Sequence, residues 1–467
     1  MSSLDYKQLS YWLMTAQDSL DPRPSLTGHA DVDVAIVGAG FTGLWTAYHL
    51  LQHAPDIKVA VVDKDIAGYG ASGRNGGWCT AELPVSHGVL AERFGAEQAQ
   101  AIQHALFGVI DQIHNVTRRE GIDCEWEKAG ALMVVMGPEQ QESAHHLLRE
   151  AAVLGLSDHF AWLSAEETRQ RVNIPHAVGA VYTPDCASIH PGKLVRGLAH
   201  AVERRGGQIF EETPVTEVLR QASRWRLATP SGSLDADAVI LATEAYLSQF
   251  PQYRRYVLPV RSSIILTAPL TPAQWEQIGW KRRLGLASFR YTVDYLNRTA
   301  DGRILFGGRG APYEYGSRIR PGSAVQPETR TFLVQQLRHW FPQLGDVAID
   351  YAWEGVLGMP RDWIPRITFD ADTRLGWAFG YTGQGVAMSY VAGYLLSHLI
   401  LGLSDADPLV RALQPWLNRP PQLWEPEPLR FVGVRYTQRA LRLLDAEAAR
   451  SGRAPSGRSL AERLARH

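Results

Sequence analysis

Cysteine is scarce: Cys79, Cys124 and Cys186 are the only three in 467 residues. None forms a Cys-x-x-Cys pair, which excludes a disulfide framework and a cysteine-built metal centre. A reducing, cytoplasmic compartment is the expectation. Excess charge is also lacking, with 47 Lys and Arg against 48 Asp and Glu and a formal net charge of −1. That balance gives no reason to expect nucleic acid as a partner. Long apolar runs are missing too: no stretch approaches the roughly 18 to 20 residues of a membrane helix, and no membrane partner is expected. The opening MSSLDYKQLSYWLMTAQ places Asp5 early and has no apolar block, so it is not expected to act as a secretory signal. Internal repeats and low-complexity segments are absent. What is present is ordinary, 45% hydrophobic and 20% charged, in a chain long enough for more than one domain.

The informative residue is glycine. DVDVAIVGAG ends a short apolar run, Val34 to Val37, that reads as a buried parallel strand. GFTGLWTAYHLLQH continues at helical spacing, with Leu44, Ala47, Tyr48 and Leu51 on one face. KVAVVDKD then supplies a second strand ending at Asp63. Gly38, Gly40 and Gly43 thus fall in G-x-G-x-x-G order inside a βαβ unit with a terminal acid. One glycine allows the tight turn, one the approach of a pyrophosphate, and one the packing of helix on sheet. The helix N-terminus faces the phosphates, and the acid meets the ribose hydroxyls. This predicts a dinucleotide site.

A second glycine-rich stretch, GASGRNGG from Gly70 to Gly77, begins seven residues past Asp63. Four glycines with Ser72, Arg74 and Asn75 are too polar for a core strand and too glycine-rich for a helix interior. The stretch suits a ligand longer than NAD, whose diphosphate and flavin end need bare backbone. Ser72 can donate to phosphate, Arg74 can neutralise it, and Gly76 and Gly77 let a flat ring reach the main chain. FAD is therefore the expected cofactor. No second strand-linked G-x-G-x-x-G appears, so a bound NAD(P) domain is not expected. Late in the chain, RLGWAFGYTGQGVAMSYVAGYLLSHLILG reads as strand, glycine turn and helix. Its N-terminal amides can stabilise negative charge on a reduced flavin.

GAGFTGLWTAYHL, GASGRNGGWCTAELP, LATEAY and GYTGQGVAMSYVAG together resemble the glycine oxidase/D-amino-acid oxidase superfamily of FAD oxidoreductases. The resemblance extends to SYW at Ser10–Trp12 and to WEPEPLR near the C-terminus, and points to the γ-glutamylputrescine oxidoreductase-like branch. It implies FAD contacts at Gly38, Gly40, Gly43, Asp63, Ser72, Gly73, Arg74, Asn75, Gly76, Gly77, Val215, Ala242, Thr243, Gly383, Gln384, Gly385 and Val386. Glu244 stands where the family more often has Asn or Gly. Some relatives attach FAD covalently; here Trp78 and Cys79 occupy one attachment position and EGVLGMPRDWIP has no cysteine at the other, so noncovalent FAD is expected.

The implied reaction is oxidation of a C–N bond: hydride passes from the carbon beside nitrogen to flavin N5, the imine hydrolyses, and O2 or an electron carrier takes the electrons. The substrate is expected to be a small amine, primary or secondary, such as a polyamine derivative, or an amino acid. Trp78, Arg261, Tyr295, Arg309 and Arg361 are the leading candidates for the substrate side, with Arg298, Trp353 and Met359 behind them. A structural salt bridge is an equal reading for Arg309 and Arg361, and strand alternation leaves the facing of Arg261 and Tyr295 open. His190 and Asp362 read as structural. A dehydrogenase serving a carrier, or a flavin protein without amine oxidation, stays open as an alternative.

The fold class expected is α/β: a Rossmann-like FAD domain and a second domain built on a mostly antiparallel sheet. The FAD domain is drawn from 31–86, 165–250 and 346–402, and the substrate domain from 87–164 and 251–345. Residues 1–30 form an N-terminal arm. Residues 403–467 form a C-terminal extension whose arginine-rich helix, with Asp445, Glu447 and Glu462 interspersed, reads as solvated and frayed at its end.

Overall fold

A computed structural model describes residues 5–308, 313–320, 324–403 and 406–465. The first strand, Gly28–Val37, runs parallel to Gly232–Leu241 on one side and to Val59–Val62 on the other. Its side chains alternate: Val34 and Ile36 enter one apolar core, Ala35 and Val37 the other. Burial on both faces explains why these strands are uninterrupted apolar runs. The sheet reads 366–370, 375–379, 232–241, 28–37, 59–62, 208–210, and the antiparallel strands Glu217–Gln221 and Arg224–Thr229 extend it from Gly232–Leu241. Helices Phe41–His53, Pro191–Arg204 and Gly385–Leu401 share the core on one face, and the long helix Ala96–Glu120 joins them.

The second sheet has eight strands in the order 349–359, 258–267, 304–308, 294–298, 285–288, 131–135, 179–183, 161–164. One pair, 131–135 with 285–288, is parallel; the others are antiparallel. Leu333, Leu337 and Trp340 of helix Pro327–Trp340 pack with Ile265, Leu296 and Phe306 of this sheet.

Two strands depart from the expected partition. Gly179–Thr183 and Ile349–Met359, assigned from sequence to the FAD segments, hydrogen-bond into the second sheet. Residues 1–30 are also more than an arm. Trp12 is fully buried, and the segment packs against both the glycine-rich loop and helix Pro191–Arg204. The tail is likewise ordered further than expected. Helix Leu429–Ser451 is followed by Leu460–Ala465, and Glu462, 2% exposed, accepts from the Gly457 and Ser459 amides. Among the described residues no helix is long and apolar enough to cross a membrane.

Candidate functional site

The first glycine turn is shaped by close approach. Gly38 has φ +113°, and a Cβ there would lie 2.6 Å from the Ala242 carbonyl oxygen. A Cβ on Gly43 would collide with the Gly38 carbonyl, so the helix can rest on the turn only with glycine there. Asp63 fastens the same turn: its Oδ2 accepts from Ala39 N at 2.7 Å and its Oδ1 from Asp65 N at 3.0 Å. Burial pushes its carboxyl up to about 6, against the pull of those two amides. Ser72 reaches across from the second loop, and its Oγ accepts from Phe41 N at 2.9 Å at the start of helix Phe41–His53. The two glycine motifs are therefore one structure.

The second loop is held from behind. Asn75 closes it on itself, accepting from Gly77 N at 2.9 Å and donating to the Ser72 carbonyl at 3.0 Å. Ser10 donates to the Gly73 carbonyl at 2.6 Å, Trp12 to that of Asn75 at 2.8 Å, and Trp353 to that of Arg74 at 2.9 Å. Asn297 donates to the carbonyls of Gly76 and Gly77, both at 3.0 Å. A loop with this many satisfied carbonyls is fixed before any ligand arrives. Tyr295 lies against Gly76, where a Cβ would meet its ring at 2.5 Å, and its hydroxyl is 3.0 Å from Ser262 Oγ.

Glu244 explains its own departure from the family pattern. It sits at φ +47°, and its Oε2 accepts from Gly358 N at 2.7 Å. Its Oε1 accepts from Gly380 N at 3.0 Å and Tyr381 N at 3.3 Å. The carboxylate thus ties the end of strand Gly232–Leu241 to strand Ile349–Met359 and to the late glycine loop. Burial raises its pKa despite those amides. Tyr381, held to Thr42 at 2.8 Å, seats that loop against the first nucleotide helix.

All of this borders one cavity of about 920 Å³. Gly38, Gly40, Asp63, Ser72, Arg74, Asn75, Gly76, Val215, Ala242, Thr243, Gly383, Gln384, Gly385 and Val386 line it. Gly43, Gly73 and Gly77 do not; they shape the backbone behind the wall. Arg74 is 6% exposed and stacks on Tyr69 with its Cζ 4.4 Å from the ring centroid. Among the described residues its Nε and Nη2 have no hydrogen-bond partner, nor has Thr243 Oγ1. Buried donors left so are costly unless a ligand's acceptors complete them. A long apolar cavity with unpaired guanidinium donors beside a helix N-terminus and an acid at a strand end fits a dinucleotide with an anionic centre.

The substrate-side candidates divide. Trp78 and Tyr295 line the cavity, and Trp78 Nε1 donates to the Leu296 carbonyl at 3.1 Å. Arg261 does not line it: its guanidinium is engaged by Glu314 at 2.5 Å and Glu354 at 3.4 Å, and the neighbouring Ser262 faces the cavity instead. Arg361 is also turned away, paired with Glu425 at 3.1 Å over the Trp424 ring. Arg298 stacks on Trp275 and donates to the Trp280 carbonyl; Trp353 and Met359 are core. Arg309 lies outside the described residues. His190 accepts from Lys193 N at 3.1 Å as a helix cap, and Asp362 pairs with Arg366 at 2.7 Å, both structural. Cys79 is fully buried and absent from the cavity wall.

Sequence reasoning missed much of the far wall: Glu82, Phe107, Met133, Glu150, Asp185 and Arg290. Glu82 carried a signal, being an acid four residues past Trp78 in the quoted CTAELP. The others come from helices and loops with no local mark of a ligand.

Fold and site together define a dinucleotide-binding oxidoreductase scaffold. The chain belongs to the FAD dependent oxidoreductase family, which it matches over residues 33–399. It is 29% identical to gamma-glutamylputrescine oxidoreductase of Escherichia coli over 395 residues, 84% of this chain and 89% of that one. It is 24% identical to glycine oxidase of Geobacillus kaustophilus over 376 residues, covering 79% and 92%. The crystal structure of a Geobacillus kaustophilus glycine oxidase superposes with a TM-score of 0.68 at 21% identity, covering 83% of this chain and 98% of that one. L-proline dehydrogenase from P. horikoshii gives 0.66 at 19%, covering 85% and 100%, a likeness of fold alone.

Proposed function

We propose that this protein oxidises the C–N bond of an aliphatic amine or amino acid, with O2 as the electron acceptor. FAD supplies the hydride acceptor when bound. The chain's own residues bind and orient: Gly38, Gly40 and Ser72 at the first turn, Asp63 at the ribose hydroxyls, Arg74 at the anionic centre. Gly383 to Val386 offer helix N-terminal amides where negative charge develops. Trp78 and Tyr295 bound the substrate side. The observation that carries the reading is the pair of unpartnered Arg74 donors in a cavity that continues past the glycine loops into an apolar chamber. Relatives named for gamma-glutamylputrescine and glycine support the C–N class. The position of Cys79 off the wall supports noncovalent FAD.

The test is anaerobic mixing of the purified flavoprotein with γ-glutamylputrescine, putrescine, sarcosine, glycine and D-alanine, following flavin absorbance near about 450 nm, a property of the cofactor. Bleaching by one amine supports the reading and selects the substrate. Bleaching by none, in a protein still reducible by dithionite, refutes it. Rapid recovery of colour in air supports the oxidase; recovery only with an added carrier makes it a dehydrogenase.

A further inference from the structure

Three carboxylates line the chamber beyond the glycine loops: Glu82, Glu150 and Asp185. Two have partners. Asp185 lies 2.6 Å from His159 Nδ1. Glu150 lies 3.1 Å from His146 Nε2 and accepts from Ser86 Oγ at 3.3 Å. Glu82 differs: among the described residues nothing donates to its carboxylate and no cation pairs with it. Its backbone is fixed, with its amide donating to Thr80 Oγ1 at 3.3 Å two residues past strand Trp78–Thr80. Phe107, Met133, Leu147 and Phe160 make much of the surrounding wall apolar. Burial alone acts on the carboxyl and raises it to about 7.

Glu82 is half-buried, and a carboxylate without an internal partner on a largely apolar wall is the group with most to gain from a ligand that brings opposite charge. The same cavity is lined by the ionisable groups His87 on helix His87–Phe94, His146 and Glu150 on helix Gln141–Val153, Asp185 (held to His159) and Arg290 after strand Gly285–Ser288, and the buried Cys186 thiol feels the Glu82 charge. None pairs with Glu82. We propose that Glu82 receives the ammonium group of the substrate, whose methylene body lies on the apolar wall, and takes one proton from it. The step is R–NH3+ plus Glu82–COO− giving R–NH2 plus Glu82–COOH: the N–H bond breaks, its electron pair stays on nitrogen, and an O–H bond forms. The neutral amine is the form that can release a hydride from its adjacent carbon. This rests on the amine-oxidation reading above and names the group that would select for it. A carboxyl more basic than usual is the better proton acceptor.

The probe is n-butylamine, with 1-pentanol as a neutral control, titrated into the FAD-loaded protein and its Glu82→Gln variant by calorimetry. The variant is expected to bind n-butylamine at least about tenfold more weakly, as for loss of a charge-assisted contact. Its 1-pentanol affinity and FAD content should not change. Butylamine affinity within twofold of the parent overturns the proposal, as does a parent that binds no amine. If Glu82→Gln fails to fold, the unsubstituted protein decides. Its butylamine affinity should fall about tenfold per pH unit below the Glu82 pKa, as one carboxylate protonates, and a flat profile overturns the proposal. The two readings separate. Amines that bind through Glu82 without bleaching the flavin defeat amine oxidation but keep the docking group. Bleaching of equal rate and KM in Glu82→Gln defeats the docking group but keeps amine oxidation.

Discussion

The C-terminal extension offers a sharp prediction, because it lies outside the family match at 33–399 yet holds part of the cavity wall. Asp445, 7% exposed on helix Leu429–Ser451, accepts from Tyr291 N at 3.0 Å and Thr292 N at 2.7 Å, and also from the Thr292 hydroxyl. Tyr291 in turn donates from its hydroxyl to Glu462 at 3.1 Å. Phe289, Arg290 and Tyr291 of the same loop line the cavity. Asp445→Ala removes one acceptor from three donors. A lost hydrogen bond to a charged group costs about 1.5–3 kcal/mol, but water can reach this loop once it loosens, so the net cost to the closed loop is about 2 kcal/mol. At about 1.4 kcal/mol per decade, that is roughly a 30-fold increase in opening. Hydrogen exchange at the Tyr291 and Thr292 amides should rise by that factor, while the nucleotide sheet 28–37 stays protected. Substrate KM should rise with FAD content unchanged. Unaltered exchange at 291–292, or loss of FAD in step with loss of substrate binding, would refute the idea that the tail acts on the chamber through this clamp.

Arg74→Met should weaken FAD roughly 30-fold, about 2 kcal/mol for a charge-assisted contact, as read by fluorescence titration of the apoprotein. Equal affinity would mean that the unpartnered donors do not face the cofactor. Asp63 has a folded pKa of about 6, above its ordinary 3.8, so the folded state binds the extra proton and this group's contribution to stability is present below 3.8 and lost as pH rises through 6. A ribose hydroxyl donating to the ionised form reverses that preference. FAD affinity should therefore fall as pH drops below 6, and Asp63→Asn should flatten the dependence in the same titration. Glu244→Gln leaves three backbone amides with an acceptor on one oxygen only, and Glu244→Ala leaves them with none. Thermal melts should rank the alanine variant below the glutamine variant, by about 1–3 kcal/mol for buried donors left unpaired.

The nucleotide half was legible because its constraints are local. Gly38, Gly43 and Asp63 are fixed by the shape of one turn, and each leaves its mark within about thirty residues. Strand existence in the second half was legible as well, from apolar runs such as VLPVRSSIILTAPL. Partnership was not. Gly179–Thr183 pairs with Ala131–Val135, and Ile349–Met359 with Leu258–Thr267, across long chain separations that hydrophobic pattern does not encode. The facing of a strand residue failed for the same reason. Arg261 and Ser262 are neighbours on one strand, and only the position of Glu314 and Glu354 decides that the arginine turns outward and the serine inward.

That contrast bears on where specificity resides. The residues that hold the glycine loop, namely Ser10, Trp12, Asn297 and Trp353, come from three separated stretches and act on main-chain carbonyls. Contacts of that kind fix the backbone whatever enters the chamber. The chamber's own charged groups are different. Glu150 and Asp185 are matched to histidines, whereas among the described residues Glu82 meets no internal partner. An internally matched carboxylate has little to gain from a ligand's cation, and an unmatched one has the whole interaction to gain. Substrate choice should therefore respond to substitution at Glu82 and along the loop that Asp445 clamps, and hardly at all to substitution at Arg261 or Arg361, whose guanidiniums are paired away from the cavity.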